Sequence, residues 1–342
     1  MKILVTGAAG FIGMHLCERL CREGHAVFGV DNLNDYYEVE LKRARLARLQ
    51  ALPGFDFAQL DIADADRFTA WVAARRPQRV VHLAAQVGVR YSLVNPGAYT
   101  HSNLLGFTQV LELCRSLQVE HLVYASSSSV YGGNQRMPFS EQHPVDHPVS
   151  LYAATKKANE LMAHAYSHLY GIPTTGLRFF TVYGPWGRPD MATWLFTEAI
   201  ASGQAIRLFN HGNMMRDFTY VGDIVESLVR VLHKPATPDA GFDRLEPSPQ
   251  ASFAPFRVFN IGNASPVALL EFVAAIEHAL GKAAVRELLP MQPGDVMSTA
   301  ADTRALDDWI GFVPATPIRE GVQRFVDWYL DYRSRHPAAA RR

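Results

Sequence analysis

Three glycines in a short run constrain the fold of this chain more than any other feature. Residues 3–5 form an apolar run that predicts a buried strand, and Phe11–Arg22 has the spacing of an amphipathic helix. Gly7, Gly10 and Gly13 connect the two. A glycine-rich turn between strand and helix is typical of α/β folds in which the helix N-terminus faces the pyrophosphate of a dinucleotide.

The three glycines have different expected roles. Gly7 permits a tight turn, Gly10 lets the backbone approach the pyrophosphate, and Gly13 permits close packing of the helix on the sheet. Phe11 and Ile12, between the last two glycines, are expected to line the same site. A glycine turn without a ligand is the alternative interpretation.

Strand and helix patterns alternate through the first half of the chain. This alternation predicts an α/β fold with a doubly wound parallel (Rossmann) sheet, and the apolar strands are expected to be buried. The predicted strands are residues 3–5, 26–30, 55–60, 79–83, 121–125 and 173–177, and the predicted helices include residues 11–22, 96–117, 150–168, 266–280 and 317–332.

The pattern becomes less regular after about residue 180. Residues 1–180 are predicted to form the dinucleotide-binding domain, to which some later segments return. Residues 181–334 are predicted to form mainly a smaller, irregular α/β lobe that covers the ligand crevice at the strand ends. Residues 234–255 lack periodicity and predict a long surface loop, and residues 335–342 predict a frayed tail.

Composition argues against several classes of partner. The chain has 342 residues with 33 basic and 33 acidic side chains, a balance that argues against nucleic acid and polybasic membrane contacts. Cys17, Cys21 and Cys114 lack metal-ligand spacing, so we expect buried thiols and no metal. No run resembles a signal peptide or a membrane span, which predicts a cytoplasmic protein.

Acidic residues follow the second and third predicted strands. Asp31, with Asn32 beside it, is placed to accept hydrogen bonds from ribose hydroxyls and to repel a 2′-phosphate, so NAD is favoured over NADP as cofactor. Asp61 and Ile62 are placed to reach the adenine, although a plain surface aspartate is an equally open interpretation of Asp61.

The fourth predicted strand ends in small side chains. Leu83, Ala84, Ala85 and Gln86 would allow a cofactor to pass close to the backbone. The alanines are equally compatible with simple core packing, so the pattern alone leaves both interpretations open.

Tyr152 and Lys156 are four residues apart on a predicted helix, which places both side chains on one face. A lysine ammonium there is expected to lower the phenol pKa from its usual value of about 10. The phenolate could then take a proton from a sugar hydroxyl while hydride leaves the same carbon. A solvated helix face is the alternative, which the glycine motif makes less favourable.

These motifs, with a serine upstream of Tyr152, identify a resemblance to the extended short-chain dehydrogenase/reductase family over nearly the whole chain. More narrowly, the chain resembles the branch that epimerises UDP-glucuronate at C4. The matching segments are residues 31–37, 41–46, 88–92, 179–185, 210–220 and 292–296. Each segment is modestly specific, and their joint occurrence in order is strongly so.

The resemblance implies a catalytic triad and a resident NAD. Ser127, Tyr152 and Lys156 match the catalytic positions, and the tyrosine and lysine also match cofactor contacts. Asn103 matches a position that supports the helix near the active site and is assigned to the cofactor site.

The resemblance also implies residues that bind a UDP-sugar. Arg216 matches a diphosphate-binding arginine, Asp295 a residue near the nucleotide ribose, and Arg90 lies in a matching segment. Gln292 departs from the arginine that UDP-glucose 4-epimerases often have there, although glutamine fits the glucuronate branch.

The implied reaction imposes a further requirement. Oxidation of UDP-glucuronate at C4 gives a β-keto acid that readily loses CO2, so the site must hold the C6 carboxylate still. Ser128, Ser129, Thr181 and Arg188 are the candidates, because hydroxyls and a forked guanidinium suit a carboxylate. A solvated loop charge is the alternative for Arg188.

Four other functions stay open. A UDP-glucose 4-epimerase would share the triad, whereas a 4,6-dehydratase would have Asp-Glu at residues 128 and 129. A UDP-glucuronate decarboxylase would have glutamate at residue 129, and an inactive NAD sensor would have lost Tyr152 or Lys156. The family analogy also predicts a homodimer through residues 96–117 and 150–168, with apolar positions at Leu104, Val110, Leu111, Leu161 and Met162.

Overall fold

The computed structural model describes residues 1–291 and 297–336. Thirteen strands lie within these ranges. They are β1 (Lys2–Thr6), β2 (Ala26–Asp31), β3 (Phe55–Gln59), β4 (Arg79–His82), β5 (His121–Ser127), β6 (Thr174–Phe179), β7 (Thr181–Tyr183), β8 (Ala205–Leu208), β9 (Met215–Arg216), β10 (Phe218–Tyr220), β11 (Phe256–Ile261), β12 (Val267–Ala268) and β13 (Val285–Leu288).

The same ranges contain twelve α-helices. They are α1 (Phe11–Arg22), α2 (Val39–Gln50), α3 (Ala65–Ala73), α4 (Tyr91–Val94), α5 (Pro96–Tyr99), α6 (Gly106–Leu117), α7 (Leu151–Tyr170), α8 (Ala192–Ser202), α9 (Val221–His233), α10 (Leu269–Leu280), α11 (Arg304–Ile310) and α12 (Ile318–Arg335). A π-helical segment, Thr100–Leu105, joins α5 to α6, and Ser128–Tyr131 and Phe209–Gly212 are short 3₁₀ turns.

Seven of the strands in the described ranges form one parallel sheet with the order β3-β2-β1-β4-β5-β6-β11. The predicted doubly wound α/β fold is therefore confirmed. Strand order reverses at β1, because β2 lies on one side of it and β4 on the other. Ligands bind at such a reversal, outside the carboxyl ends of the strands.

Helices α1 and α9 cover one face of this sheet. Met14, Cys17 and Leu20 of α1 are fully buried and belong to one apolar cluster with Ile224 and Leu228 of α9. Full burial of such a side chain stabilises the fold by about 1.5–3 kcal/mol. The cluster holds α1 against the sheet and so fixes the glycine turn from which α1 begins.

Helices α3, α6 and α7 cover the opposite face. Phe68 and Val72 of α3, Phe107 and Leu111 of α6, and Ala163 of α7 are all fully buried in a second cluster. Helix α7 begins at an N-cap in which the Ser150 hydroxyl accepts a hydrogen bond from the backbone N–H of residue 153 at 3.1 Å. The start of α7 is therefore well defined, and it carries the predicted catalytic pair.

A smaller apolar cluster lies outside the main sheet. Trp194 of α8, Phe272 of α10 and Phe325 of α12 are buried in it with Phe218 of β10. The rings of Phe218 and Phe272 are stacked with centroids 4.2 Å apart. Strand β11 belongs to the main sheet, although it follows the first elements that contribute to this outer cluster. The predicted domain boundaries at residues 180 and 334 stay predictions.

Several elements differ from the sequence prediction. Residues 96–117 are not one α-helix, because the π-helical segment widens the turn in which Asn103 is buried. Helix α2 and strand β11 were not predicted. Helix α2 was missed because its sequence is strongly charged, and β11 was missed because it follows an irregular segment, residues 234–255. That segment contains no helix or strand, as predicted.

Two further expectations concern the cysteines and the tail. Cys17, Cys21 and Cys114 are free and buried, as predicted. Helix α12 extends to Arg335, and the remainder of the predicted tail, residues 337–342, lies outside the described residues. In the part of the chain that the structure describes, no helix has both the length and the apolar character needed to cross a membrane.

Candidate active site

A cleft opens at the carboxyl ends of the parallel strands, at the point where strand order reverses. Residues that follow β1, β2, β3, β4 and β5 form its sides, together with the first turn of α1 and the start of α7. The predicted site residues that line it are Gly7, Gly10, Phe11, Ile12, Gly13, Asp31, Asn32, Asp61, Ile62, Leu83, Ala84, Ala85, Gln86, Ser127, Tyr152, Lys156 and Arg188.

The glycine turn has little room for side chains. Gly7 has a φ of +73°, and a Cβ added there would lie 2.7 Å from the backbone nitrogen of Ala84. A Cβ on Gly13 would lie 2.1 Å from the Gly7 carbonyl oxygen, which supports its predicted packing role. Gly10 caps α1 without a side-chain hydrogen bond, so the N–H groups of the first turn face the cleft entrance without a side-chain competitor.

Asp31 is held at the end of β2 by two backbone donors. The N–H of Ala9 donates to its Oδ2 at 3.2 Å, and the N–H of Leu33 donates to its Oδ1 at 2.8 Å. Burial raises the pKa of Asp31, and these donors and the nearby Lys42 ammonium oppose that rise. The predicted ribose acceptor is therefore oriented by the glycine turn itself.

Lys42 of α2 also lines the cleft, which the sequence analysis did not predict. Its Nζ donates to the backbone oxygen of Asn34 at 2.6 Å and to Asn34 Oδ1 at 2.7 Å. Burial lowers the pKa of Lys42, and the Asp31 carboxylate opposes that change. The sequence signal was its position in the matching segment 41–46.

Asp61 lies in a polar cluster that lines the cleft after β3. Its Oδ2 accepts from Asn32 Nδ2 at 3.2 Å and lies 3.3 Å from His101 Nε2, and its Oδ1 accepts from the N–H of Ala63 at 2.8 Å. Burial would raise the pKa of Asp61, but these hydrogen bonds hold it below its ordinary value. The structure favours the cleft interpretation over a plain surface aspartate.

Asn103 is not among the described residues that line the cleft, and its assignment to the cofactor site stays a prediction. It is buried behind the cleft, where its Oδ1 accepts from the N–H of Gln86 at 2.8 Å. Its Nδ2 donates to the Gln86 carbonyl and to the Thr155 hydroxyl, both at 3.1 Å. Asn103 therefore links the end of β4 to α7, in agreement with its implied supporting role.

Ser127, Tyr152 and Lys156 meet at the inner end of the cleft. Tyr152 is half-buried near Ser127, whose hydroxyl acts to lower the phenol pKa, and Lys156 Nζ donates to the Ala125 carbonyl at 2.9 Å. Burial lowers the pKa of Lys156 to about 8. The lysine stays mostly protonated at neutral pH.

The prediction that Lys156 lowers the pKa of Tyr152 is wrong for the protein without its ligands. Burial raises the pKa of Tyr152 above its ordinary value, and the opposing influences are the Ser127 hydroxyl and the charge of Arg188. Lys156 instead donates from its ammonium to the strand carbonyl of Ala125. Arg188 is thus an electrostatic neighbour of the tyrosine, which the spacing of residues could not indicate.

A buried ion pair fixes α7 behind the triad. Arg178 of β6 donates from Nε and Nη2 to the two carboxylate oxygens of Glu160 at 2.8 and 2.9 Å. The Ser126 hydroxyl donates to the same glutamate at 2.6 Å. Burial would raise the pKa of Glu160, but Arg178 holds it low. Glu160 lies one turn beyond Lys156 on α7, a signal that the sequence analysis did not use.

The predicted carboxylate ligands are not equally placed. Arg188 lines the cleft, and its guanidinium is paired with Asp190. Ser128 and Ser129 form the 3₁₀ turn directly after Ser127, and the N–H of Ser129 donates to the Ser127 hydroxyl at 3.2 Å. Thr181 begins β7 next to the cleft residues Phe179, Phe180 and Val182. The two serines and Thr181 flank the described cleft without lining it.

The predicted nucleotide contacts lie further out. Arg90 stacks over the Phe209 ring with its guanidinium 5.2 Å from the centroid. Arg216 of β9 donates from Nη1 to the carbonyls of Met215 and Met297 at 2.8 and 3.2 Å. Neither arginine is among the described residues that line the cleft, and Asp295 lies outside the described residues.

Comparison with known proteins agrees with this geometry. A profile of the NAD dependent epimerase/dehydratase family matches residues 3–261. The chain belongs to this family. The match includes the glycine turn, the triad and all seven strands of the main sheet in the described ranges. NAD is the cofactor.

Relatives of this epimerase/dehydratase span nearly the full chain. It is 55% identical to Protein CapI of Staphylococcus aureus, covering 97% of this chain and 99% of the relative. It is 48% identical to a probable UDP-glucuronate 4-epimerase of Rhizobium meliloti, and the match covers 98% of this chain and 99% of that relative. A crystal structure of UDP-glucuronic acid 4-epimerase from Bacillus cereus, in complex with UDP-glucuronic acid and NAD, superposes with a TM-score of 0.86 at 30% identity and covers 97% of this chain and 100% of that one.

Proposed function

We propose that this member of the epimerase/dehydratase family epimerises UDP-glucuronate at C4 to UDP-galacturonate, with NAD bound throughout. The observation that carries the proposal is the position of Arg188. It lies in the same cleft as Tyr152 and close enough for its charge to lower the phenol pKa. A cation in the same cleft as the catalytic base suits a substrate that has a carboxylate next to the reacting part of the sugar.

The chain's own residues supply the acid–base chemistry. Tyr152, as phenolate, takes the proton of the C4 hydroxyl, and the Ser127 hydroxyl stabilises the charge that forms. NAD, when bound, would supply the redox chemistry, which is reversible hydride transfer at C4. Lys156 keeps its positive charge next to this pair. Because no net redox change occurs, NAD can stay bound between turnovers.

The sugar carboxylate must be immobilised during this cycle. The 4-keto intermediate is a β-keto acid, which loses CO2 when the C5–C6 bond aligns with the ketone π system. A guanidinium that forms charge-assisted hydrogen bonds to the carboxylate opposes that alignment. The proposed partners of Arg188 in this grip are the hydroxyls of Ser128, Ser129 and Thr181, which flank the cleft.

The nucleotide is proposed to bind toward the smaller lobe. Arg216 and Asp295 are the proposed contacts for the diphosphate and the ribose, and Arg90 is a further candidate. Binding energy from this remote half of the substrate would keep the keto-sugar in the site while it turns over. The cytoplasmic location indicated by the sequence likewise stays a prediction.

The rival functions have specific weaknesses. A dehydratase or decarboxylase would need acidic side chains where Ser128 and Ser129 stand. An inactive sensor would not need Tyr152 and Lys156 together in the cleft. A UDP-glucose 4-epimerase remains the second candidate because it shares the triad, but its substrate has no carboxylate for a cleft arginine such as Arg188 to bind.

Product analysis tests the proposal directly. The purified protein is incubated separately with UDP-glucuronate and UDP-glucose, and the products are separated by chromatography and weighed by mass spectrometry. We expect an isomer of unchanged mass from UDP-glucuronate, with little or no UDP-pentose. Conversion of UDP-glucose alone, or a product that has lost CO2 or water, would contradict the proposal.

Cofactor selectivity provides a further prediction. The protein should bind NAD more tightly than NADP by about tenfold or more, because a 2′-phosphate would face the Asp31 carboxylate. Calorimetric titration with each dinucleotide measures the ratio. Asp31→Asn, which removes the charge, should reduce the preference. A clear preference of the wild type for NADP would refute the role given to Asp31.

The subunit interface also stays a proposal. Val110 and Leu111, which were predicted as interface positions, are fully buried within the subunit, so they do not contribute. Leu161 of α7 is 60% exposed and Leu105 is 46% exposed, which leaves an apolar face on the two predicted helical segments. Leu104 and Met162 are half-buried. We propose that α7 and the residue 96–117 segment pair with those of a second copy.

Light scattering tests this interface. The wild type should have the mass of a dimer at micromolar concentration, and Leu161→Arg should shift it toward the monomer because a charge would be buried. Leu330→Arg is the matched control, since Leu330 of α12 is 48% exposed on another element and should leave the mass unchanged. A monomeric wild type would count against the proposal.

A further inference from the structure

The guanidinium of Arg188 is held along only one of its edges. Its Nε donates to Asp190 Oδ1 at 2.9 Å and its Nη2 donates to Asp190 Oδ2 at 2.7 Å. The two side chains are 22% and 29% exposed, and Arg188 lines the cleft. Asp190 therefore fixes the plane and the direction of a charged group that faces the substrate space.

The end-on edge of the guanidinium, between Nη1 and Nη2, is available for a second carboxylate. A guanidinium has five N–H donors, and Asp190 takes one from Nε and one from Nη2. In the described ranges no acceptor contacts Nη1, and the outer hydrogen of Nη2 lies on the same edge. These two nitrogens form the end-on fork that carboxylates accept in bidentate fashion.

A hydroxyl from a distant segment supports the aspartate. Tyr36, which follows β2, donates from its hydroxyl to Asp190 Oδ2 at 3.1 Å. Burial would raise the pKa of Asp190, but Arg188 and Tyr36 hold it below its ordinary value. Asp190 stays ionised at neutral pH, so its ion pair with Arg188 persists there.

The backbone before Arg188 is fixed by another buried arginine. Arg45 of α2 is fully buried and donates from Nη2 to the Trp186 carbonyl at 2.7 Å and to the Gly187 carbonyl at 3.2 Å. Its Nη1 donates to the Ala9 carbonyl in the glycine turn at 3.1 Å. Residues 31–50 thus restrain both the backbone and the side chain of the loop that carries Arg188.

We propose that Asp190 is a positioning residue for substrate specificity: it holds Arg188 along the Nε edge so that the Nη1–Nη2 edge receives the C6 carboxylate of the sugar. The proposal rests on the proposed function and extends it. Asp190 does not touch the substrate, and it acts by fixing the arginine that does. Its effect is therefore confined to substrates that carry the carboxylate.

Asp190→Asn tests the positioning role with little change in volume. An amide would place N–H donors against those of Arg188, so the side-on pair would be lost. We expect kcat/KM for UDP-glucuronate to fall by about tenfold, mainly through KM. A larger share of decarboxylated product is expected, because the carboxylate is held less firmly. Affinity for UDP-glucose and for NAD should stay within about twofold of the wild type.

Asp302→Asn is the matched control. Asp302 accepts a side-on pair from Arg304 with the same distances, 2.9 and 2.7 Å, two residues away along the chain. Arg304 is 85% exposed, and neither residue lines the cleft. The same amide change there should leave KM and the product ratio unchanged. Tyr36→Phe, which removes one donor to Asp190, should shift the ratio in the same direction as Asp190→Asn but less.

Three results would overturn the proposal. A lower KM for UDP-glucuronate in Asp190→Asn would mean that Asp190 competes with the substrate for Arg188. Equal losses on UDP-glucuronate and UDP-glucose binding would mean a general structural role, and unchanged constants would mean none. If the wild type does not convert UDP-glucuronate, the proposed function fails separately. In that case, calorimetric titration of the wild type and of Asp190→Asn with UDP-glucuronate and with UDP-glucose still measures the contact between Arg188 and the sugar carboxylate.

Discussion

Replacing Tyr152 with phenylalanine is expected to lower turnover by ~10²–10⁴-fold, the usual contribution of a positioned acid–base group. The ring keeps its volume and its surroundings, and only the proton acceptor is lost. Steady-state kinetics with UDP-glucuronate measure the change, and circular dichroism and NAD titration check that the fold and the cofactor site are intact. Near-normal activity would refute the role given to the phenol.

The pH dependence of the same pair of proteins provides a second readout. Because burial raises the pKa of Tyr152, the phenolate is a minor form at neutral pH in the protein alone. The wild-type rate should therefore rise with pH as the phenol ionises, and the phenylalanine variant should lack that rise.

Tyr124→Phe is the matched control for the Tyr152 variant. Tyr124 is buried in the core on the opposite face of the sheet from α1, and its hydroxyl has no hydrogen-bond partner among the described residues. The same loss of a buried hydroxyl there should leave the rate and its pH dependence unchanged. A comparable loss in Tyr124→Phe would point to stability instead of chemistry.

The sequence predicted those parts of the site that depend on local geometry. The roles of Gly7 and Gly13 follow from a strand-to-helix turn, and the structure supports both. Asp31 ends the second strand as predicted, because a doubly wound sheet brings the carboxyl ends of neighbouring strands together. The helix that carries Tyr152 and Lys156 was also predictable, since Ser150 caps it and the spacing is one turn.

The parts that the sequence did not predict depend on contacts between distant residues. Tyr36 and Asp190 are 154 positions apart, and nothing in either local pattern pairs them. Glu160 and Arg178 form a buried pair across a helix and a strand, which periodicity cannot specify. The prediction of the Tyr152 pKa shift was wrong for the same reason. Burial raises this pKa and Arg188 opposes the rise, and both influences arise only in the folded cleft.

The fold shows the same division between local and distant interactions. The first six predicted strands lie in the sheet because each is a short apolar run followed by a helix pattern. Strand β11 has equally apolar residues, but it pairs with β6 only after the chain has passed through the smaller lobe. A pattern that is read in order along the chain assigns such a returning strand to the wrong unit.

Removing the Arg188 side chain is the second large perturbation. Arg188→Ala should weaken the use of UDP-glucuronate by roughly ten- to a hundredfold, since a desolvated charge-assisted contact contributes about 1.5–3 kcal/mol. The variant also leaves the Asp190 carboxylate without its bidentate partner at the cleft, where it would repel the substrate's own carboxylate. Both effects act on the charged sugar, so kcat/KM for UDP-glucose should change much less.

The product of the Arg188→Ala reaction separates the chemical role from simple binding. If the arginine restrains the carboxylate of the β-keto acid, its loss should release some substrate as a decarboxylated UDP-pentose, which mass spectrometry detects. Arg304→Ala is the matched control, because Arg304 forms the same kind of pair with Asp302 on an exposed surface. Equal losses on UDP-glucuronate and UDP-glucose would show that Arg188 serves the shared UDP or the fold. The carboxylate role would then have to be given up, and with it the reason for preferring the glucuronate substrate over the glucose one.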